Sequence, residues 1–80
     1  MLTNLKCSNK VVGIKQARRA INNNEVRAVY IAEDAEPKVI QEIINLCSEK
    51  FIEIIYVSSM KELGKACGID VKAAVAAITK

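Results

Sequence analysis

Apolar, strand-like runs alternate along this chain with amphipathic segments that have helical spacing, and this alternation limits the folds that the chain can adopt. The runs Val26–Ala32 and 52–57 are rich in β-branched residues and contain few charges, which is typical of strands covered on both faces. Between them, apolar side chains recur at the i, i+3, i+4 and i+7 positions of a helix: Ile40, Ile43, Ile44 and Cys47. The element order is β-α-β-α-β-α-β, which predicts a central parallel or mixed sheet with helices on both faces.

Turn and cap formers set the predicted boundaries of the helices: Gly13, Asn22, Pro37, Ser59 and Gly68. The first helix should begin at Ile14, directly after a short extended run at residues 10–12. Residues 59–62 match the capping-box pattern that opens a helix. Residues 73–79 are ambiguous, because alanine favours a helix whereas the β-branched residues favour a strand. A short helical turn at residues 2–7 is a further expectation.

Composition excludes several classes of protein. A chain of 80 residues is one domain, and no apolar run reaches the roughly 18 residues that would cross a membrane. It contains no histidine, which removes the commonest general base. The three cysteines lack metal-site spacing, and Cys67 is predicted to be a small core residue. We therefore expect a non-enzymatic protein without a catalytic centre, a metal site or a cofactor. Because no secretory signal is present, we expect it in the cytoplasm.

Charge is distributed unevenly along the chain. The net charge is +3, but residues 1–24 hold five basic side chains and no acid, whereas the other 56 residues hold seven basic and nine acidic ones. A positively charged N-terminal segment on an otherwise nearly neutral chain indicates a polyanionic partner. The alternative is a basic surface that is only solvated. The acidic run Glu33, Asp34 and Glu36 is interpreted as favourable electrostatics at the start of the helix that Pro37 opens.

Two segments could carry binding chemistry. At the Gly13 turn, Lys15, Gln16 and Arg19 should be exposed if the apolar stripe of the helix faces inward, and all three can donate to phosphates or base edges. The alternative is that Gly13 caps the helix and the polar side chains only solvate it. The second segment is the loop at residues 69–72, whose apolar side chains could contact a base while Lys72 meets a phosphate.

Gly64 precedes this loop and lies inside a predicted helix, at a cost of about 1 kcal/mol relative to alanine. Either close packing of the helix against the sheet or the approach of an RNA backbone would account for it.

Three segments in this order resemble the kink-turn RNA-binding ribosomal-protein family, which includes the large-subunit proteins seven-A and thirty of archaea and eukaryotes and short bacterial relatives. They are residues 12–16 (Val-Gly-Ile-Lys-Gln), 32–37 (Ala-Glu-Asp-Ala-Glu-Pro) and 63–69 (Leu-Gly-Lys-Ala-Cys-Gly-Ile). The resemblance covers nearly the whole chain. It implies a three-layer α-β-α sandwich with a mixed four-stranded sheet.

The resemblance also implies a function: recognition of kink-turn RNA at tandem sheared G·A pairs, by a monomer bound to ribosomal RNA or a structured mRNA leader. The residues that it assigns to RNA contact are Gly13, Ile14, Lys15, Gln16, Arg19, Ile69, Asp70, Val71 and Lys72. Many members have Asn-Glu where this chain has Lys15 and Gln16, which leaves base preference open. The C-terminal helix of longer members has no counterpart before Lys80, so we expect one sheet face to be less covered. The alternative function is that of a protein-interaction subunit that docks through residues 69–71.

Overall fold

The computed structural model describes residues 9–69 and 71–79, which form an α/β fold. The predicted turn at residues 2–7 lies outside this range. The elements along the chain are β1 (Lys10–Val12), α1 (Ile14–Asn22), β2 (Val26–Ala32), α2 (Pro37–Lys50), β3 (Glu53–Val57), α3 (Met60–Cys67) and β4 (Val75–Thr79). The predicted element order is confirmed, and the ambiguous run near the C-terminus is a strand.

The four strands form one mixed sheet in the order β1-β4-β2-β3. Strand β4 pairs antiparallel with both β1 and β2, while β2 and β3 are parallel. With these directions, β1, β2 and β3 end at the same edge at which β4 begins. The turns that enter all three helices, and the loop that precedes β4, therefore meet at this edge.

Helices cover both faces of the sheet, so the predicted three-layer sandwich is confirmed. On one face, α1 and α2 pack on the inward side chains of β2 and β4 in one core cluster, whose buried members include Ala17, Ile21, Ile43, Cys47, Val29 and Val75. On the other face, α3 is the one helix of the described residues that packs on the sheet, through a second cluster that includes Leu63, Cys67, Tyr30, Ala32 and Ala76. Val12, Ile55 and Ile78 on the α3 face are only partly buried.

Local chemistry fixes the ends of the helices as the sequence predicts. Pro37 occupies the first turn of α2, where its missing N–H has no intrahelical partner. Ser59 caps α3 by accepting a hydrogen bond from the Glu62 amide through its hydroxyl at 3.1 Å. Gly68 ends α3 in the left-handed conformation, with φ of 77°. Among the described residues, no helix is long and apolar enough to cross a membrane.

Phe51 is unusual because it ends α2 in the left-handed conformation, with φ of 56°. A residue with a Cβ atom adopts this conformation at a cost of roughly 1–2 kcal/mol, and glycine is the usual choice. The Phe51 ring is 96% exposed, so burial of apolar surface does not compensate for the strain. The strain at this position is therefore not balanced by packing in the domain itself.

We predict that Phe51→Gly stabilises the domain by about 0.5–1 kcal/mol, because relief of left-handed strain exceeds the entropy that glycine loses on folding. Urea unfolding followed by circular dichroism measures the change. Phe51→Ala is the matched control, since it removes the ring but keeps the Cβ atom and should leave stability within about 0.5 kcal/mol of the wild type. A glycine variant less stable than the alanine variant would contradict the prediction.

Candidate nucleic-acid interface

The Gly13 turn joins β1 to α1 in a conformation that glycine accommodates best. Its φ is 111°, and a Cβ atom on Gly13 would lie 2.9 Å from the Gln16 side-chain oxygen. The Gly13 amide donates to the carbonyl of Val75 at 2.9 Å, and its carbonyl accepts from the Ala17 amide at 3.0 Å. Helix α1 has no side-chain cap and no acid in its first turn. Its first free N–H groups and the positive end of its dipole are therefore available to an anion.

The exposed side of α1 beyond this turn is basic. Lys15, Gln16 and Arg19 are all exposed and line a small cavity of about 60 Å³. Arg18 is paired with Glu42 at 2.6 Å, the one ion pair found within residues 9–69 and 71–79. The cationic groups of Lys15 and Arg19 thus have no carboxylate partner in the described part of the chain.

Ile14 differs from the other predicted contact residues of the first helix. Its side chain is half-buried and packs against the core cluster under α1. In this structure it supports the start of the helix, and it offers less surface to a ligand than Lys15 or Gln16 does.

The loop after α3 folds back along that helix. The Ile69 amide donates to the Gly64 carbonyl at 3.1 Å, and the Ala73 amide donates to the Met60 carbonyl at 3.1 Å. Between these bonds the loop crosses the helix at Gly64, where a Cβ atom would lie 2.1 Å from the Val71 carbonyl oxygen. The backbone of residues 71–72 occupies the space that a side chain on Gly64 would need. The expectation that Gly64 allows close packing of the helix against the sheet was therefore wrong, because the loop, and not the sheet, makes the close approach.

This loop presents both apolar and basic groups to solvent. Val71 is 68% exposed, Lys72 is exposed, and Ile69 is half-buried against the α3 core cluster. Asp70 lies outside the described residues. The exposed valine can pack against the face of a base, and the exposed lysine can bind a phosphate.

The two predicted segments lie at the same edge of the sheet. The bond from Gly13 to Val75 joins the start of α1 to the start of β4, and the Ala32 amide donates to the Ala74 carbonyl beside it at 2.9 Å. Lys72 is three residues before Val75, so their Cα atoms are at most about 11 Å apart. The structure therefore brings the Gly13 turn and the loop together. Whether they bind RNA stays a prediction.

The acidic run after β2 has a role that the sequence did not indicate. The Asp34 carboxylate accepts a hydrogen bond from the Met60 amide at 2.7 Å, so it caps α3 rather than α2. These residues are 26 positions apart, and no local pattern could reveal the contact. Within the described residues, no group of three or more metal-ligating side chains comes together.

The cysteines of the described residues are core groups. Cys47 and Cys67 are both buried and free. Burial raises the pKa of the Cys47 thiol to about 11. It also raises the pKa of the Cys67 thiol, although the nearby Lys10 charge partly opposes that rise. Both thiols are therefore neutral at pH 7 and are poor nucleophiles, as expected for packing residues.

The chain is similar in sequence to known RNA-binding proteins. Residues 2–80 match the sequence model of the ribosomal protein L7Ae/L30e/S12e/Gadd45 family. An RNA-binding protein of Caldanaerobacter subterraneus subsp. tengcongensis is 54% identical over 68 residues, which is 85% of this chain and 83% of that protein. An RNA-binding protein of Halalkalibacterium halodurans is 54% identical over 70 residues, or 88% of this chain and 85% of that one.

Among solved structures, the 15.5 kD RNA-binding protein of Giardia lamblia is similar to this chain with a TM-score of 0.91 at 27% sequence identity. The match covers 99% of this chain and 70% of the other. The fold of residues 9–69 and 71–79 is therefore shared with that protein.

We predict that Gly64→Ala destabilises the domain by about 1–3 kcal/mol, because the new methyl group overlaps the Val71 carbonyl. The sign is opposite to that expected from helix propensity, which favours alanine by about 1 kcal/mol. Urea unfolding measures the stability, and amide chemical shifts should change mainly in residues 69–74. Lys65→Ala, an exposed neighbour on the same helix, is the control. A stabilised Gly64 variant with unchanged loop shifts would show that the loop does not pack on this residue.

Proposed function

The chain belongs to the ribosomal protein L7Ae/L30e/S12e/Gadd45 family, and from this premise we propose that it is a non-enzymatic RNA-binding protein that recognises kink-turn RNA. The names of its bacterial relatives support RNA binding. We further propose that it acts as a cytoplasmic monomer on ribosomal RNA or a structured mRNA leader. Association with the ribosome is supported by the family resemblance, and kink-turn recognition is supported by that resemblance and by the geometry of the Gly13 turn and the loop before β4.

The proposal depends mainly on one observation: the Gly13 turn and the loop before β4 lie at the same edge of the sheet. One segment offers helix N–H groups with Lys15, Gln16 and Arg19, and the other offers Val71 and Lys72. An RNA ligand that contacts both must bring base edges and an unpaired strand to one edge of the protein. A sharply bent RNA meets this requirement, whereas a straight duplex does not.

The shape of RNA explains why a bend is needed. The major groove of regular A-form RNA is too deep and narrow for side chains to read. The start of α1 can therefore reach base edges only where a kink and non-Watson–Crick pairs open that groove. Because the protein contacts the bent form preferentially, binding should also shift a flexible RNA towards its kinked conformation.

Each side chain at the start of α1 has a distinct capacity. The Lys15 ammonium can donate to guanine O6 and N7 or to a phosphate, while the Gln16 amide can donate and accept at a base edge. Arg19 lies one turn further along and can hold a phosphate through two parallel hydrogen bonds. Base reading is thus assigned to the first turn of α1, and backbone contact to the second.

We predict that the protein binds a kink-turn duplex roughly tenfold or more tightly than the same duplex with its tandem G·A pairs replaced by Watson–Crick pairs. The physical reason is that the replacement restores a closed groove. Isothermal titration at fixed salt measures both affinities. Equal affinities would exclude kink-turn recognition, even if both RNAs bind.

We predict that Lys15→Ala and Gln16→Ala each weaken binding to the kink-turn RNA by about 1–3 kcal/mol, as expected for contacts to base edges. Lys50→Ala is the matched control, because Lys50 is an exposed lysine at the opposite end of the sheet, where it bonds to Asn24. Its removal should leave affinity unchanged. If the Lys15 and Gln16 variants bind like the control, the contact surface lies elsewhere.

A protein partner at the loop is the second candidate, favoured by the 68% exposure of Val71. The dependence of affinity on salt distinguishes the two. RNA binding through several phosphates should weaken steeply between about 50 and 200 mM salt, whereas apolar docking should change little. RNA affinity that stays constant across this range would favour the protein-interaction function.

A further inference from the structure

The outer edge of β3 offers unpaired backbone groups. Strand β3 is last in the sheet order, and no strand of the described residues pairs with its outer side. The Val57 carbonyl accepts from the Glu33 amide, which directly follows β2, at 2.8 Å. The backbone groups of Val57 and of every second residue before it in the strand therefore point towards β2. Those of the residues between them, Ile54 and Tyr56, point outwards, where a further strand could pair with them.

Apolar side chains accompany this edge. Of the three large apolar residues that are exposed in the described part of the chain, two lie here: Tyr56 in the strand, 52% exposed, and Phe51 just before it, 96% exposed. Proteins usually protect an edge strand with lysine, proline or a β-bulge. Residues 53–57 contain neither lysine nor proline, and their pairing with β2 has no register shift. The strand therefore lacks the features that keep an edge unpaired.

We propose that two copies of this chain pair through their β3 strands, antiparallel and about a two-fold axis at Ile55, so that their sheets join into one. In this register Ile54 of each copy lies opposite Tyr56 of the other. Because both residues direct their backbone groups outwards, each opposed pair exchanges both of its N–H···O bonds. The unpaired groups of one edge are thus satisfied by the same groups of the second copy.

The side chains of β3 favour a second copy as the occupant. On the face covered by α1 and α2, the aromatic ring of Tyr56 meets the β-branched side chain of Ile54, and the two-fold axis repeats this favourable pair. On the other face, the two Ile55 side chains meet at the axis. Glu53, the one charged residue of the strand, lies opposite Val57, so the two carboxylates do not face each other. The strand is therefore complementary to a reversed copy of itself, which a two-fold interface requires.

Phe51 gains a packing role in this arrangement. It lies two residues before β3, so its ring can cover the end of the strand of the second copy, beyond Val57. The left-handed strain at Phe51 is not balanced by packing within one domain, because the ring is exposed. Burial of this ring between two copies would offset the strain, and aromatic side chains are common anchors of interfaces.

The pairing goes beyond the proposed function, which a single chain performs, and it leaves the proposed RNA surface open. The Gly13 turn follows β1, which is three strand spacings, or about 14 Å, from β3. Antiparallel pairing directs the Gly13 turn of the second copy to the opposite end of the joined sheet. One strand pair buries less surface than the roughly 1,200 Å² of stable complexes, so the dimer is weak and the monomer predominates at low concentration.

The test is sedimentation velocity of the protein without RNA, from about 10 µM to about 1 mM, where weak interfaces associate. The wild type should form a dimer whose fraction rises with concentration. Ile54→Lys/Tyr56→Lys should raise the dimer Kd roughly tenfold or more, because lysines of the two copies then face each other. Ile54→Glu/Tyr56→Glu should do the same. An equimolar mixture of these two variants should recover the dimer, since each lysine then lies opposite a glutamate.

Asn22→Lys/Asn23→Lys is the charge-matched control, because these exposed residues end α1, which packs towards β1 and β4. It should dimerise like the wild type. Circular dichroism checks that each variant is folded. A wild type that remains monomeric up to about 1 mM, or a mixture of folded variants that does not associate, would overturn the proposal and leave the edge to a strand of another protein.

A cysteine variant tests the register independently. The two Ile55 residues form a non-hydrogen-bonded pair with Cα atoms about 4.5 Å apart, which a disulfide can bridge. Oxidised Ile55→Cys should therefore yield a covalent dimer on a non-reducing gel, above the background of the wild type with its own cysteines. Glu53→Cys should not, because the two copies of this residue are about 13 Å apart. A dimer that is cross-linked at residue 53 but not at residue 55 would contradict the register. None of these measurements involves RNA, so failure of kink-turn recognition leaves their outcome unchanged.

Discussion

The hydrogen bond from the Gly13 amide to the Val75 carbonyl determines where the proposed RNA surface can form. Gly13 turns the chain from β1 into α1 within one residue, which its positive φ of 111° allows. Val75 is the first residue of β4 and closely follows the loop that ends α3. The bond therefore fixes the start of one helix beside the end of a loop that belongs to a helix on the opposite face of the sheet.

Strand β4 makes this arrangement compact. Val75, Ala76 and Ala77 are fully buried, with alternate side chains directed towards α1 and α3. The small alanine side chains let both helices lie close to the strand. Larger residues here would push the helices away from the sheet and widen the gap between the Gly13 turn and the loop. The small buried side chains of β4 thus set the distance between the Gly13 turn and the loop before β4.

Local sequence chemistry was sufficient to predict the element order and most helix ends. Gly13, Pro37, Ser59 and Gly68 act through bonds and dihedral angles within a few residues, so their effects are visible in the sequence. Strand β4 was ambiguous because its alanines favour a helix. Pairing with both β1 and β2 decides the outcome, and that pairing is a property of the tertiary structure.

The candidate site could be predicted only in part for the same reason. The apolar stripe of α1 was sufficient to predict which of its side chains are exposed. The position of the second segment directly after Gly68 was sufficient to predict that it is a loop. The sequence does not predict the roles of Gly64 and Asp34, since each depends on a contact with another segment: the loop backbone at Val71 for Gly64, and the Met60 amide for Asp34.

The distribution of charge along the sequence therefore differs from its distribution on the folded surface, and the two predict different routes for a bound RNA strand. The sequence places most of the excess positive charge in the first 24 residues, but the structure also brings Lys61, Lys65 and Lys72 to one cavity beside the loop before β4. The acidic turn that contains Asp34 is anchored at the start of α3, at the same edge of the sheet. Its carboxylates repel a phosphate backbone. On the proposed function, a bound strand that leaves the Gly13 turn would therefore be directed away from the acidic turn.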